Sequence, residues 1–140
     1  MRVYLGEYST LNGDAVSTEL TYLAWSALLC IVLWLPYVLE RIQSQGLGTV
    51  LTYPENPPAP AAWAQRAQRA HLNMVENLPA FAALVIIAHL TDPNAAAGAA
   101  LFFWARLAHA VVHIMGLPYI RTLAFAASWV GMLMIFFSVL

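Results

Sequence analysis

Four polar side chains recur at helical spacing inside a region that is otherwise apolar. Arg66, Arg69, Asn73 and Glu76 stand at i, i+3, i+7 and i+10, and at about 100° per residue they fall within an arc of about 80° on one helix face. Arg106, His109 and His113 repeat the i, i+3, i+7 pattern further along the chain. Measured by helical rise, Glu76 lies about 10 Å inside Arg69, and Arg106 and His109 lie roughly 10 to 15 Å inside the end of their own helix. Glu76 and Arg106 are therefore expected to meet as a buried ion pair flanked by Asn73, His109 and His113. Such a pair either pins two helices together, as interhelical polar contacts do, or floors a site. The second reading draws on the outward gradient: Arg66, Arg69, Arg121 and Arg41 gather toward one boundary with only Glu40 and Glu55 nearby in sequence. That arrangement suits an anion.

Other chemistries find less support. His109 and His113, at i and i+4, could share one metal ion, but a third ligand is missing and Arg106 is adjacent, so no metal is expected. There is no HExxH, CxxC, P-loop or GxSxG pattern, which leaves hydrolase and nucleotide-binding readings without a basis. His71 points about 140° away from the Arg66 origin on the helical wheel, and His89 lies near the far boundary, so both are expected to be structural. Arg41 and Arg66 also admit a simpler role, snorkelling toward lipid phosphates. The tryptophans, Trp25, Trp34, Trp63, Trp104 and Trp129, are spread as belt and packing residues.

The elements that carry these side chains are membrane helices. Of 140 residues, 61% are hydrophobic and 9% charged, and mean hydropathy is +0.69, a composition that a soluble domain of this length does not need. Leu20 to Leu39 contains no charge and is long enough to cross the roughly 30 Å hydrocarbon layer, with Pro36 near its end. The stretch Glu40 to Trp63 holds two glycines and four prolines, which predicts an extended loop. Asn77 to Leu90 is too short to span alone, but extended back to Arg69 it reaches about 33 Å. The turn Thr91 to Asn94 separates it from a third helix that Gly116 and Pro118 end, and a fourth runs to Leu140. The predicted fold is an all-α integral membrane bundle with helices at about 20–42, 62–91, 95–116 and 118–140, preceded by a polar N-terminal extension, 1–19.

With four spans, Arg41, Arg66, Arg69 and Arg121 fall on one side and Arg2 on the other, so the arginine-bearing loops are expected in the cytoplasm. Residues 1–19 lack the apolar core and cleavage pattern of a signal peptide. A net charge of -1 excludes a basic nucleic-acid-binding face. Cys30, the single cysteine, cannot form an internal disulfide and is read as packing.

The run RAQRAHLNMVENLPAF (Arg66 to Phe81), ARLAHAVVH (Ala105 to His113) and PYIRT (Pro118 to Thr122) resemble the MAPEG family, membrane-associated proteins of eicosanoid and glutathione metabolism. The likeness extends from about Leu20 to the C-terminus and is nearer to the family's bacterial branch, which implies a bacterial inner-membrane location. It implies a homotrimer with glutathione bound between neighbouring subunits near the cytoplasmic side. Arg69, Asn73 and Glu76 would hold the tripeptide, and Arg121 would sit near the thiol and favour its thiolate. Arg41 would contribute from the adjacent subunit. Arg106, His109, His113 and Thr122 complete the expected set of glutathione contacts.

The chemistry is consistent, since glutathione carries two carboxylates and an ammonium, which suit an arginine cluster with one acid. A guanidinium near a thiol raises the nucleophilic fraction. The expected function is a glutathione-dependent transferase or peroxidase acting on apolar electrophiles that enter from the bilayer. Three positions depart from the characterised members. His109 or His113 stands where several carry Tyr, Phe125 replaces a Tyr of the prostaglandin-E synthases, and Leu72 replaces an Arg of theirs. Eicosanoid chemistry therefore does not transfer. The alternative is a non-catalytic membrane subunit that docks on a larger membrane complex through its N-terminal extension, with Tyr4 and Tyr8. A translocating unit is disfavoured, because one ion pair and two histidines make no continuous polar path.

Overall fold

The computed structural model describes residues 16–91 and 93–140. Arg2, Tyr4, Tyr8 and the rest of 1–15 lie outside it. The described chain forms α1 (Thr18–Val32), α2 (Leu35–Gln45), α3 (Leu47–Val50), α4 (Ala62–Thr91), α5 (Ala96–Met115) and α6 (Pro118–Ser138). Four helical segments are long and apolar enough to cross a membrane: Thr18–Gln45, which joins α1 and α2, then α4, α5 and α6. The protein is an integral membrane four-helix bundle.

Pro36 explains the division of the first span. Proline offers no N–H to the preceding turn and its ring crowds the carbonyl four residues back, so α1 closes at Val32 and α2 restarts with Pro36 in its first turn. Leu33 and Trp34 keep right-handed helical angles (φ -66°, ψ -16° and φ -77°, ψ -23°). The chain is therefore kinked there but does not turn. The expected loop from Glu40 onward is corrected in part: α2 continues through Gln45, because Glu40 to Gln45 contain neither Gly nor Pro. Gly46, at φ 80°, breaks the helix, and α3 adds one turn before the proline-rich stretch. The first helix likewise begins at Thr18, within what the sequence pattern assigned to the extension.

α5 is the central element, packing on α1, α4 and α6, while α6 lies mainly against α5 and touches α4 along a shorter stretch. Two glycines permit the α5–α6 approach. A Cβ on Gly98 would stand 2.7 Å from Ile135 Cγ1 and 2.8 Å from the Gly131 carbonyl, and a Cβ on Gly131 would stand 2.8 Å from the Gly98 carbonyl. Without a hydrophobic drive between helices in lipid, such close backbone contact is the main route to tight packing. Phe81 of α4 and Phe102 of α5, both fully buried, stack with centroids 3.8 Å apart and planes 9° apart.

The helix ends are tied by polar contacts. At one end Glu40 Oε1 accepts from the Ala61 amide at 3.1 Å, placing a carboxylate at the positive N-terminal end of α4, and Arg66 Nε donates to the Ile114 carbonyl at 2.9 Å. At the other, His89 Nδ1 lies 3.2 Å from Glu19 Oε1 and 3.4 Å from Ser17 Oγ. The Tyr37 hydroxyl meets His71 Nδ1 at 3.0 Å, with the rings stacked, and links α2 to α4. Both histidines expected to be structural thus join helices.

Candidate functional site

α4, α5 and α6 converge at the arginine-bearing end, and the register of α4 decides which of its polar residues face inward. Its buried seam runs through Ala67, Ala70, Met74, Phe81 and Val85. The stripe from Arg66 to Glu76 lies along one edge of that seam. Arg66 and Asn73, nearest the seam, are half-buried, whereas Arg69 and Glu76, further round, are exposed. Glu76 lies roughly 150° from the centre of the seam by helical wheel.

This register overturns the expected Glu76–Arg106 ion pair. Among the described residues Arg106 has no carboxylate partner, and its Nη1 donates to Asn73 Oδ1 at 2.5 Å. Its guanidinium lies between two aromatic faces, 5.4 Å from the Phe102 centroid and 5.2 Å from that of Phe125, where ring quadrupoles attract a cation. Nε and Nη2 are buried without a hydrogen-bond partner among the described residues. Glu76 stands three positions beyond Asn73, a rotation of about 60° on the helical wheel that carries it outward. Phe125, noted in the sequence only for its missing hydroxyl, supplies one face of this cation site.

α5 ends in a left-handed turn that aims the next helix. Gly116 has φ 83°, its amide bonds to the His113 carbonyl, and the Leu117 amide reaches the Val112 carbonyl, a paired closure that glycine allows without steric cost. Pro118 then opens α6. The turn sets His113, in the last turn of α5, against Arg121, in the first turn of α6: Arg121 Nη1 lies 3.4 Å from His113 Nε2. His109 packs edge-on against His113 with centroids 5.2 Å apart, and both rings are buried.

Two adjoining cavities open among these groups. One, about 200 Å³, is lined by Arg66, Arg69, His113, Arg121 and the Gly116 turn. The other, about 240 Å³, is lined by Asn73, His109, His113, Arg121, Thr122 and Phe125. Sharing His113 and Arg121, they form two lobes of one cleft, and among the described residues no carboxylate lines either lobe. Asn73 Oδ1 is occupied by Arg106, so the amide offers its Nδ2 donors to the cleft. Thr122 Oγ1 donates to the Pro118 carbonyl at 3.0 Å and keeps its lone pairs free to accept.

Of the residues singled out in the sequence, Arg69, Asn73, His109, His113, Arg121 and Thr122 meet around this cleft. Arg106 stands behind it, holding Asn73. Glu76 lies outside both lobes on the exposed face of α4. Arg41 lines a separate cavity of about 360 Å³ with Gln45, Thr49 and Tyr53. Arg66, for which snorkelling is the simpler expectation, lines the cleft and closes the carboxyl end of α5 through Ile114. No spacing rule on α4 alone reveals that bond, because its acceptor is a main-chain carbonyl. Among the described residues no three His, Cys, Asp or Glu side chains converge to hold a metal ion.

Compared with known proteins, residues 20–140 match the model of the MAPEG family. No curated protein matches the chain.

Proposed function

The chain belongs to the MAPEG family, which includes glutathione transferases and peroxidases as well as other members, and from that premise we propose that it is a glutathione-dependent transferase or peroxidase acting on apolar electrophiles. The single observation that carries this reading is the two-lobed cleft, in which Arg66, Arg69 and Arg121 meet with no lining carboxylate among the described residues. Two carboxylates and a developing thiolate are the charges such a cleft accommodates.

In this reading Arg66 and Arg69 bind carboxylates, Asn73 donates from Nδ2 to a peptide carbonyl or carboxylate, and Thr122 accepts from a peptide N–H. Arg121 faces the thiol and stabilises the thiolate, the nucleophilic form. In a transfer, the thiolate sulfur forms a bond to an electrophilic carbon as the leaving group departs with the bonding pair. In a peroxide reduction it attacks the O–O bond, releasing an alcohol and leaving a sulfenic acid. A second glutathione converts that acid to the disulfide and water.

Glu76 would pair with the glutathione ammonium. It lies on an exposed face of α4, at a depth where an uncovered carboxylate is costly. Cover from a second copy of the chain answers that cost, and Arg41 would reach such a shared site from the neighbour. Both points favour the homotrimer. The excess of arginine at this end favours a cytoplasmic cleft in a bacterial inner membrane. The docking alternative rests on the N-terminal extension, 1–19, of which 1–15 lie outside the described residues, and no observation among the described residues favours it.

The test is thiol transfer from glutathione to chlorodinitrobenzene by detergent-purified full-length protein. Arg121→Ala should lower the rate about tenfold or more at neutral pH, the loss expected when a thiol returns to its ordinary ionisation. An unchanged rate would remove Arg121 from the catalytic role.

A further inference from the structure

Taking the proposed glutathione site as its premise, we infer that His113 is a positioning residue that holds the Arg121 guanidinium in line through the Nε2 lone pair of its ring. It acts through Arg121 and does not bind the thiol itself.

A guanidinium has donors and no acceptor. The 3.4 Å approach of Arg121 Nη1 to His113 Nε2 therefore requires an unprotonated Nε2, which places the ring proton on Nδ1. That Nδ1 is buried and has no hydrogen-bond partner among the described residues. The opposite tautomer would set an N–H against the arginine N–H and lose the contact. The ring thus leaves one nitrogen unsatisfied and presents the other to Arg121, an arrangement that space-filling does not explain.

Arg121 needs such an acceptor because its other surroundings repel it. It sits in the first turn of α6, where no acidic residue stands and where the unpaired amide groups make the helix end positive. From α4, Arg66 and Arg69 line the same lobe, and from α5 the neighbouring titratable group is His109, a neutral or cationic ring. Among the described residues no carboxylate lines the cleft to restrain the guanidinium. A long side chain in that setting would otherwise swing outward to lipid phosphates. Among the described residues the Nε2 lone pair is the one acceptor placed against Arg121, and the Gly116 turn fixes its position.

The variants His113→Gln and His113→Asn separate this role from a structural one. Gln Oε1 falls near the position of Nε2, whereas Asn Oδ1 falls near that of Nδ1. In the full-length protein with glutathione bound, His113→Asn should move the ultraviolet-detected thiolate titration upward by about one pH unit, a tenfold loss of thiolate. It should lower kcat for chlorodinitrobenzene to match and leave KM for glutathione within about twofold. His113→Gln should recover most of both. Equal impairment of the two variants, or a raised KM with an unchanged titration, would overturn the inference. Nitrogen NMR of the imidazole-labelled, glutathione-free protein gives an independent reading. A proton on Nδ1, with an Nε2 signal that changes in Arg121→Ala, is expected, and a proton on Nε2 would overturn it. If the wild type binds no glutathione yet gives the expected NMR result, the functional reading fails and the positioning contact stands.

Discussion

Arg106 of α5 donates through Nη1 to Oδ1 of Asn73 on α4 at 2.5 Å, and this bond both satisfies part of a buried cation and fixes which end of the Asn73 amide faces the cleft. Arg106 is 1% exposed. A hydrogen bond to a charged group contributes about 1.5 to 3 kcal/mol, so Asn73→Ala should destabilise the protein by about that amount. Denaturant titration in detergent checks this. Asn73→Asp should retain most of the stability, because a carboxylate can accept the same bond, and should weaken glutathione binding, because the Nδ2 donors are gone. An Asn73→Ala variant as stable as the wild type would show that Arg106 is held by its aromatic neighbours alone.

Glu76 offers the contrasting case. It is exposed and, among the described residues, without a salt-bridge partner, so Glu76→Gln should leave the stability of the isolated chain within about 0.5 kcal/mol. If Glu76 pairs with the glutathione ammonium, the same change should weaken glutathione binding about tenfold to a hundredfold, the equivalent of one charge-assisted hydrogen bond. Calorimetric affinity beside a denaturation curve separates the two effects.

Gly98 and Gly131 set the approach of α5 and α6 near the end of the pair opposite the Gly116 turn. Gly98→Leu should destabilise the bundle by about 1 to 3 kcal/mol or more, because the side chain must displace Ile135 or the Gly131 backbone. Separation of the two helices should also lower thiol-transfer activity. Gly98→Leu with unchanged stability would mean that α6 shifts along α5 without cost.

Gly116→Ala places a side chain at φ 83° with Arg66 Cζ 3.2 Å away. The left-handed backbone alone costs about 1 to 2 kcal/mol for a residue with a Cβ, and the displaced Arg66 would lose its bond to the Ile114 carbonyl. Lower stability and weaker glutathione binding should appear together. Gly116→Asn should cost less, since asparagine tolerates this conformation. Comparing the melting curves of the two variants checks the order.

The parts of this fold that the sequence reveals are those that depend on one helix at a time. A charge-free run from Leu20 to Leu39 marks the first span and another after Arg121 marks α6, Gly116 and Pro118 mark the last turn, and single-face periodicity identifies both polar stripes. What it does not reveal depends on how two helices are rotated against each other. Asn73 and Glu76 share a stripe, yet the packing of Met74 and Phe81 into the bundle turns Asn73 inward to Arg106 and Glu76 outward. The Arg66–Ile114 bond is hidden for a related reason, because a helix-terminal carbonyl has no residue signature. The Gly98–Gly131 contact involves two small residues on different helices, which no single periodicity singles out. Arg41 remains apart from the cleft within one chain, as its separate cavity requires.

Isothermal titration of glutathione into the folded, detergent-purified full-length protein tests the central claim most directly. Saturable binding in the millimolar range or tighter, lost or strongly weakened in Arg69→Ala, is the expected result. No binding at millimolar glutathione to the folded protein would contradict it.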